Sequence, residues 1–303
     1  MILVTGASGL VGEAVVRLLL ASGAPVIATD VRAPGEPLPC PFILDDVRQQ
    51  GALLGILQAR RVRQVVHAGA ISGSMVAPND PMLVMTVNVA GSICVAEACR
   101  LAGVEKLIAL SSIGVYGDQV GTDPVPEDAP KNGADIYSCS KIAMESVLFG
   151  YRRNFGLPVT VLRMSSIFGP GRRTPCFVRG LLEAAEQGHV ARVSDDTHHR
   201  RQFLYIDDAA RSVRLALEAS AAQDFAYNIT GGTWQTETEV GAIARQVVPG
   251  LRIQVGGVAP LGLDGRMGPL DIRRAADDLG YRPQISFAEG LGRFVAARRA
   301  AAV

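Results

Sequence analysis

Met1-Ile-Leu-Val-Thr-Gly6-Ala-Ser-Gly9-Leu-Val-Gly12 decides how this chain is read. Four apolar residues run into a turn with glycine at every third position, and an amphipathic stretch follows. The pattern predicts strand, tight turn, helix. Gly6 lets the chain turn sharply off the strand, and Gly9 has no side chain to hold a ligand off the backbone. Gly12 lets the helix pack closely on the strand. A helix start of this kind presents unpaired N–H groups and the positive end of a dipole, which suits a pyrophosphate. The spacing is G-x-x-G-x-x-G rather than the commoner G-x-G-x-x-G. Pro25-Val-Ile-Ala-Thr-Asp30 reads as a second strand ending in an acid, 18 residues after Gly12. A carboxylate there accepts the hydroxyls of an adenosine ribose and repels a 2′-phosphate, so NAD is expected rather than NADP. Arg32, two residues on, is the nearby group that would favour a phosphate instead.

Beyond this stretch, 303 residues suffice for one large domain or two unequal ones. With 30 basic against 29 acidic residues there is no basic stripe, which argues against nucleic-acid and membrane-surface partners. The cysteines at 40, 94, 99, 139 and 176 form no C-x-x-C pair and no zinc spacing, so reduced thiols in a cytosol are expected, and no metal. Met1 lies almost in the first strand and leaves no room for a signal peptide. The most apolar helix, Leu10 to Ser22, is too short to span a bilayer. The reading is of a soluble cytoplasmic protein.

Strands are expected near 1–5, 25–30, 40–44, 64–67, 107–111 and 159–163, with helices near 10–22, 47–60, 81–102 and 137–155. Gln64-Val-Val-His67 and Leu107-Ile-Ala-Leu-Ser111 carry no charge, as strands covered on both faces tend to. The alternation predicts an α/β fold, a doubly wound parallel (Rossmann) sheet with ligands at the strands' carboxyl ends. After Arg163 the rhythm breaks at Gly169-Pro-Gly-Arg-Arg-Thr-Pro175. A helix to about Gly188 and an irregular stretch to Arg201 follow, then a strand at 203–206, a helix at 207–219 and a strand at 226–229. The end is helical near 236–247, 271–279 and 286–301. Residues 1–166 plus about 203–231 are expected to form the NAD-binding domain. Residues 167–202 plus 232–303 would form a smaller, discontinuous substrate domain across a cleft.

Ser112, Tyr137 and Lys141 are the sharpest constellation. Tyr137 and Lys141 open a helix four residues apart and so share a face. A phenol is a poor base at neutral pH, but a nearby ammonium and an oxidised nicotinamide both favour its ionised form. Ser112, at the carboxyl end of the fifth strand, is placed to hold a substrate oxygen.

The chain resembles the extended short-chain dehydrogenases/reductases of the NAD-dependent epimerase/dehydratase kind over nearly its whole length. The likeness rests on Thr5 to Gly12, Asp46-Val47, His67-Ala-Gly-Ala70, Asn88 to Gly91, Ser111 to Gly117, Tyr137 to Lys141, Leu162-Arg163 through Pro170, and Phe203 to Asp208. It implies that Gly6, Gly9, Leu10, Val11 and Gly12 meet the cofactor along with Asp30. By the same resemblance Asp46 binds the adenine amino group, Val47 flanks its ring, Ala68, Gly69 and Ala70 line the cofactor, and Asn88 braces the sheet's centre. Ser112, Tyr137 and Lys141 become the catalytic set, with Tyr137 and Lys141 also touching the cofactor. His67 reads as a packed strand-end histidine. The helices near 81–102 and 137–155 are those through which members form a homodimer.

Departures narrow the activity. Sugar dehydratases of this kind carry Asp-Glu directly after the serine position, and decarboxylases keep the glutamate; here Ile113 and Gly114 stand there. Neither moves protons, so dehydration and decarboxylation are disfavoured. Ser166 replaces the asparagine usual in nucleotide-sugar enzymes, Ser194 to Arg201 replaces a glycine-rich turn, and Gln202 replaces an aspartate. Ser72, Ser74, Ser112, Tyr137, Ser166, Arg173, Arg201 and Arg266 are the candidate substrate contacts, with Arg172 in the same cluster. Three readings follow: a (nucleotide-)sugar epimerase passing through a keto intermediate, an NAD-dependent dehydrogenase of a free sugar or sugar acid, and a dinucleotide-binding sensor without turnover.

Overall fold

A computed structural model describes residues 1–73, 76–119, 121–219, 224–259 and 266–301. The opening stretch forms β1 (Ile2–Thr5), buried throughout, and α1 (Leu10–Ala21). β2 (Val26–Asp30), β3 (Phe42–Leu44), α2 (Gln50–Ala59) and β4 (Gln64–His67) continue the alternation. α3 (Pro81–Met85) and α4 (Gly91–Ala102) are joined by a π-helical turn, Thr86–Ala90. β5 (Lys106–Ser112), α5 (Ile136–Phe155) and β6 (Val159–Met164) complete this part.

Beyond it lie β7 (Ser166–Phe168), α6 (Phe177–Glu186), β8 (Val190–Val193), β9 (Arg200–Arg201) and β10 (Phe203–Tyr205). α7 (Ile206–Glu218), β11 (Ala226–Ile229), β12 (Gln235–Thr236), α8 (Glu237–Val247) and β13 (Arg252–Val255) follow. α9 (Arg273–Leu279) and α10 (Phe287–Ala300) end the chain's regular structure. The stretch before Arg201, expected to be irregular, contains β8, which pairs in parallel with β13.

Seven strands form the parallel sheet in the order β11-β6-β5-β4-β1-β2-β3. Strand order reverses between β1 and β4, which pair Thr5 with His67 at their carboxyl ends. At such a switch point the helices leave to opposite faces and a crevice opens. One face packs Val15, Val16 and Leu19 of α1, Val213 of α7 and Leu279 of α9. The other packs Leu53 of α2, Val95 of α4, and Met144 and Leu148 of α5. A third core gathers α6, α8 and α10 around Phe168, Phe203 and Phe287, with the last two rings 4.8 Å apart.

By composition the run Pro81–Ala102, at mean hydropathy 1.7, is long and apolar enough to cross a bilayer, unlike the 10–22 helix singled out from sequence. Its Val84, Asn88, Ser92, Val95, Ala96, Ala98 and Cys99 are buried inside the fold, as in a core helix.

Beneath the crevice lies a charged network. Glu145 of α5, fully buried, takes Arg163 of β6 in a two-point contact at 2.9 and 2.7 Å. The same carboxylate accepts the Ser111 hydroxyl at 2.6 Å and Lys131 at 2.7 Å. Arg163 also donates to the Tyr116 hydroxyl and the Glu127 carbonyl, and Tyr116 donates to Asn228 of β11. Burial pushes the Glu145 carboxyl up, but Arg163 and Lys131 outweigh it and hold it below the usual range. Its stabilisation is therefore present above the unfolded carboxyl's titration and is lost as pH falls through the folded one. Removing one partner of a buried pair strands the other charge, at about 3–5 kcal/mol. Glu145→Gln should lower unfolding free energy by about that much in urea titrations at neutral pH; a loss under about 1 kcal/mol contradicts this account.

Candidate active site

The glycine turn forms a cradle with no room for side chains. Gly6 has φ +66°, and a Cβ on it would strike the backbone of Ala68 and Gly69 at about 2.5–2.6 Å. A Cβ on Gly12 would collide with the Gly6 carbonyl. Gly9 caps α1 without any side-chain acceptor, so the N–H groups of Leu10, Val11 and Gly12 have no partner within the helix. Asp30 closes the turn: one carboxylate oxygen accepts the Ser8 N–H at 3.0 Å and the other the Arg32 N–H at 3.3 Å. The carboxylate thus faces the turn, where an adenosine ribose is placed when a dinucleotide's pyrophosphate sits on α1.

Asp46 is gripped by Arg48 through both carboxylate oxygens, and Val47 packs against Gly69 and Gly91. Ala68, Gly69 and Ala70 follow directly on β4, with the Gly69 N–H on the Thr5 hydroxyl at 3.3 Å. These features fit a dinucleotide along the strand ends, with pyrophosphate on α1 and adenine toward Asp46 and Val47.

Asn88 sits in the π turn, whose extra residue per turn re-aims its side chain. The amide bonds the N–H and C=O of Ile71 and the Ser140 hydroxyl, at 2.8, 3.1 and 2.9 Å. It joins the loop after β4 to α5. His67 is buried between the Thr5 and Ser92 hydroxyls, and burial, helped by Lys141, drives its pKa down to about 3. It is neutral and structural.

Ser112, Tyr137 and Lys141 come together at the ends of β5 and α5. Asp135 caps α5 by accepting the Ser138 N–H at 2.7 Å, which starts the helix where Tyr137 and Lys141 share a face. Burial raises the Tyr137 pKa, Ser112 pulls it down by hydrogen bonding, Asp135 raises it and Arg172 lowers it. The Ser112 oxygen accepts the Gly114 N–H at 3.1 Å, leaving its own proton to donate. Lys141 donates to the Leu110 carbonyl at 2.8 Å, and its nitrogen lies 6.0 Å from the Tyr137 ring centre. Burial pushes its pKa down to about 8, against the opposing charge of Glu145.

The expected substrate residues divide. Ser72 is exposed after β4, next to the Ile71 held by Asn88, and Ser74 lies outside the described residues. Ser166 is the first residue of β7, its N–H on the Gln202 carbonyl at 3.0 Å. Two of the expected arginines have neighbours within the protein itself. Arg201 is buried, on Glu237 at 2.5 Å and over the Phe177 ring, so its charge is met inside the protein. Arg173 lies directly against Gly35, on the loop after β2, at the adenosine end of the groove. Arg266 pairs with Asp196 at 3.3 Å and lines an open cleft of about 360 Å³ with Gln119, His198, Arg200 and Trp234, which none of the catalytic three reaches. Among the described residues no three histidine, cysteine or acidic side chains gather to hold a metal.

A family model described as the NAD dependent epimerase/dehydratase family matches residues 2–230. A UDP-glucose 4-epimerase of Mycolicibacterium smegmatis is 32% identical, over 97% of this chain and 96% of that one. A dTDP-glucose 4,6-dehydratase of Streptomyces antibioticus is 28% identical, over 97% and 91%. The crystal structure of a UDP-glucose 4-epimerase from Thermus thermophilus, in complex with NAD, superposes at a TM-score of 0.87, with 29% identity and 99% of both chains covered.

Asp30→Ala should weaken NAD binding and bring NAD and NADP affinities closer, measured by isothermal titration. Tighter binding of NADP than of NAD by the unaltered protein would overturn the role given to Asp30.

Proposed function

We propose that this chain, which belongs to the NAD-dependent epimerase/dehydratase family, is a nucleotide-sugar 4-epimerase. NAD-dependent chemistry is the family's; the epimerase reading is ours, and the neighbourhood of Ser112 carries it. Dehydration needs an acid and a base beside that serine, whereas this chain has Ile113, buried, and Gly114. A Cβ on Gly114 would stand 2.6 Å from the Ser138 hydroxyl oxygen and 3.4 Å from that of Ser112. The pocket supplies only alcohol–ketone interconversion.

Bound NAD supplies a two-electron acceptor and donor. Tyr137 takes the proton of the substrate hydroxyl as the alcohol is oxidised, and Ser112 donates to the same oxygen and fixes its position. Returning that proton from Tyr137 while the ketone is reduced on its other face gives the epimer. Lys141, pinned by the Leu110 carbonyl, holds positive charge near the ring. The M. smegmatis and S. antibioticus relatives, named for UDP- and dTDP-glucose, support a nucleotide-linked sugar. One observation favours the second reading, a dehydrogenase of an unlinked sugar: Arg201, expected to serve the substrate, is neutralised by Glu237.

Incubation with NAD and UDP-glucose should yield UDP-galactose with no net NADH. NADH accumulating in proportion to an unlinked sugar makes the protein a dehydrogenase, and neither signal overturns both readings. Tyr137→Phe should retain NAD and lose about 10²–10⁴-fold in turnover, the usual share of general acid–base catalysis; near-normal turnover would assign the proton transfer to another group.

The homodimer expected from the resemblance is part of the same reading. Ile93 and Leu101 of α4 and Phe149 and Phe155 of α5 are 39–61% exposed, apolar side chains left on the two helices through which the resemblance implies pairing with a second copy. The five cysteines are all free thiols, which fits a reducing cytosol. Sedimentation should give twice the 32.0 kDa chain mass, and a monomer at micromolar concentration would remove the dimer from the proposal.

A further inference from the structure

His67 takes no part in proton transfer, yet both of its ring nitrogens are engaged inside the fold. Nδ1 meets the Thr5 hydroxyl at 2.9 Å and Nε2 meets the Ser92 hydroxyl at 2.9 Å. A neutral imidazole has one donor and one acceptor, and its neighbours decide which nitrogen is which. The Ser92 hydroxyl lies 2.6 Å from the Asn88 carbonyl oxygen, which can only accept, so the serine's single proton is spent there. The Ser92 oxygen must then accept from His67, and the ring carries its proton on Nε2. Nδ1 is left to accept the Thr5 proton, and the Thr5 oxygen in turn accepts the Gly69 N–H at 3.3 Å. The other tautomer would leave the close Ser92–Asn88 oxygen pair with no proton between them and the Thr5 proton without an acceptor. A serine bonding back four residues along its own helix is ordinary. Here the same oxygen also closes a chain that reaches β1.

From Asn88 the chain runs on through the side-chain amide. Nδ2 donates to the Ser140 hydroxyl at 2.9 Å, and Ser140 donates to the Tyr137 carbonyl at 2.6 Å. Thr5, His67, Ser92, Asn88 and Ser140 are each at most 3% exposed, so losing one member leaves its neighbours unsatisfied. One end of the chain is the Gly69 N–H, in the strip read as lining the cofactor. The other is the main chain of Tyr137, in the first turn of α5.

We propose that His67, as its Nε2–H tautomer, is a positioning residue for the reaction: through Ser92 it fixes Asn88 in the π turn, and through Ser140 it sets where α5 presents Tyr137. This rests on Tyr137 being the proton-transfer group. A reacting group misplaced by about 1 Å can cost about 10²-fold in rate, so a remote donor of this kind matters to turnover.

The tautomer is read directly by long-range proton–nitrogen NMR of the labelled protein at neutral pH, with the His67 signals identified by their loss in His67→Gln. Nε2 should be protonated and Nδ1 bare; a proton on Nδ1, or on both nitrogens, overturns the inference. This readout needs no substrate, so its failure strikes the inference alone. Two variants then test the positioning. Glutamine places an amide nitrogen near the position of Nε2 and keeps the donor to Ser92, whereas asparagine keeps an acceptor for Thr5 and falls short of Ser92. His67→Gln should keep most of the turnover. His67→Asn should lose about 10²-fold in kcat while its NAD affinity, measured by calorimetric titration, changes little. Equal turnover in the two variants, or a loss in NAD affinity in place of kcat, overturns the positioning role. Should His67→Asn fail to fold, Ser92→Ala cuts the same link with little change in volume and is held to the same outcomes. If the unaltered protein turns over no sugar at all, the proposed function falls and the positioning role falls with it.

Discussion

The buried contact between Glu145 and Arg163 fixes what the active site can be. It joins α5 to β6, and through Ser111 it also holds the end of β5. Ser112 is the next residue along that strand, and Lys141 lies one helical turn before Glu145, with Tyr137 a turn further back. Three groups from two separate parts of the sequence, β5 and α5, are therefore referred to one carboxylate with no freedom to slide. Two ions withdrawn from water contribute little net stability against a well-packed apolar alternative. What they supply here is register: the strand end and the helix meet at one position, and the phenol faces the serine.

A second constraint is the approach of backbone to backbone at the switch point. Gly6 and Gly69 are in contact because neither has a side chain, and this lets β1 and β4 converge under the groove. The Asp30 carboxylate then reaches the N–H of Ser8 and closes the turn from the β2 side. The dinucleotide groove is built from main chain, with one acid setting the character of its far end. The chemistry at the near end is set by side chains on β5 and α5, so the two functions can vary independently.

Much of this was legible in the sequence because it rests on local rules. Uncharged strand runs, the glycine turn and the four-residue spacing of Tyr137 and Lys141 each declare a backbone state or a shared face over a few residues. What the sequence did not declare has a common cause as well. That Arg201 would be paired with Glu237, 36 positions away, depends on how β9 meets the start of α8. That Arg173 would lie against Gly35 while Arg172 bonded the Ile167 carbonyl depends on the path of one turn. A row of arginines looks alike in sequence, and only tertiary packing sorts them. The π turn around Asn88 left no sequence sign beyond the asparagine itself. β8 and β13 are four residues each, β8 alternating exposed and buried and β13 mostly exposed, so their pattern was too brief to separate from loop.

The close fit of Gly114 against Ser138 bears on how this fold could change its chemistry over time. Replacing Gly114 by glutamate supplies the missing acid on paper, yet its Cβ would meet a buried hydroxyl in the first turn of the catalytic helix. A side chain at 114 therefore requires the Ser138 hydroxyl to swing aside or a smaller residue to stand at 138, and Ile113 would still leave the second proton-transfer group missing. Acquiring an acid and a base beside Ser112 is for this chain a matter of room at the start of α5 as well as of residues 113 and 114.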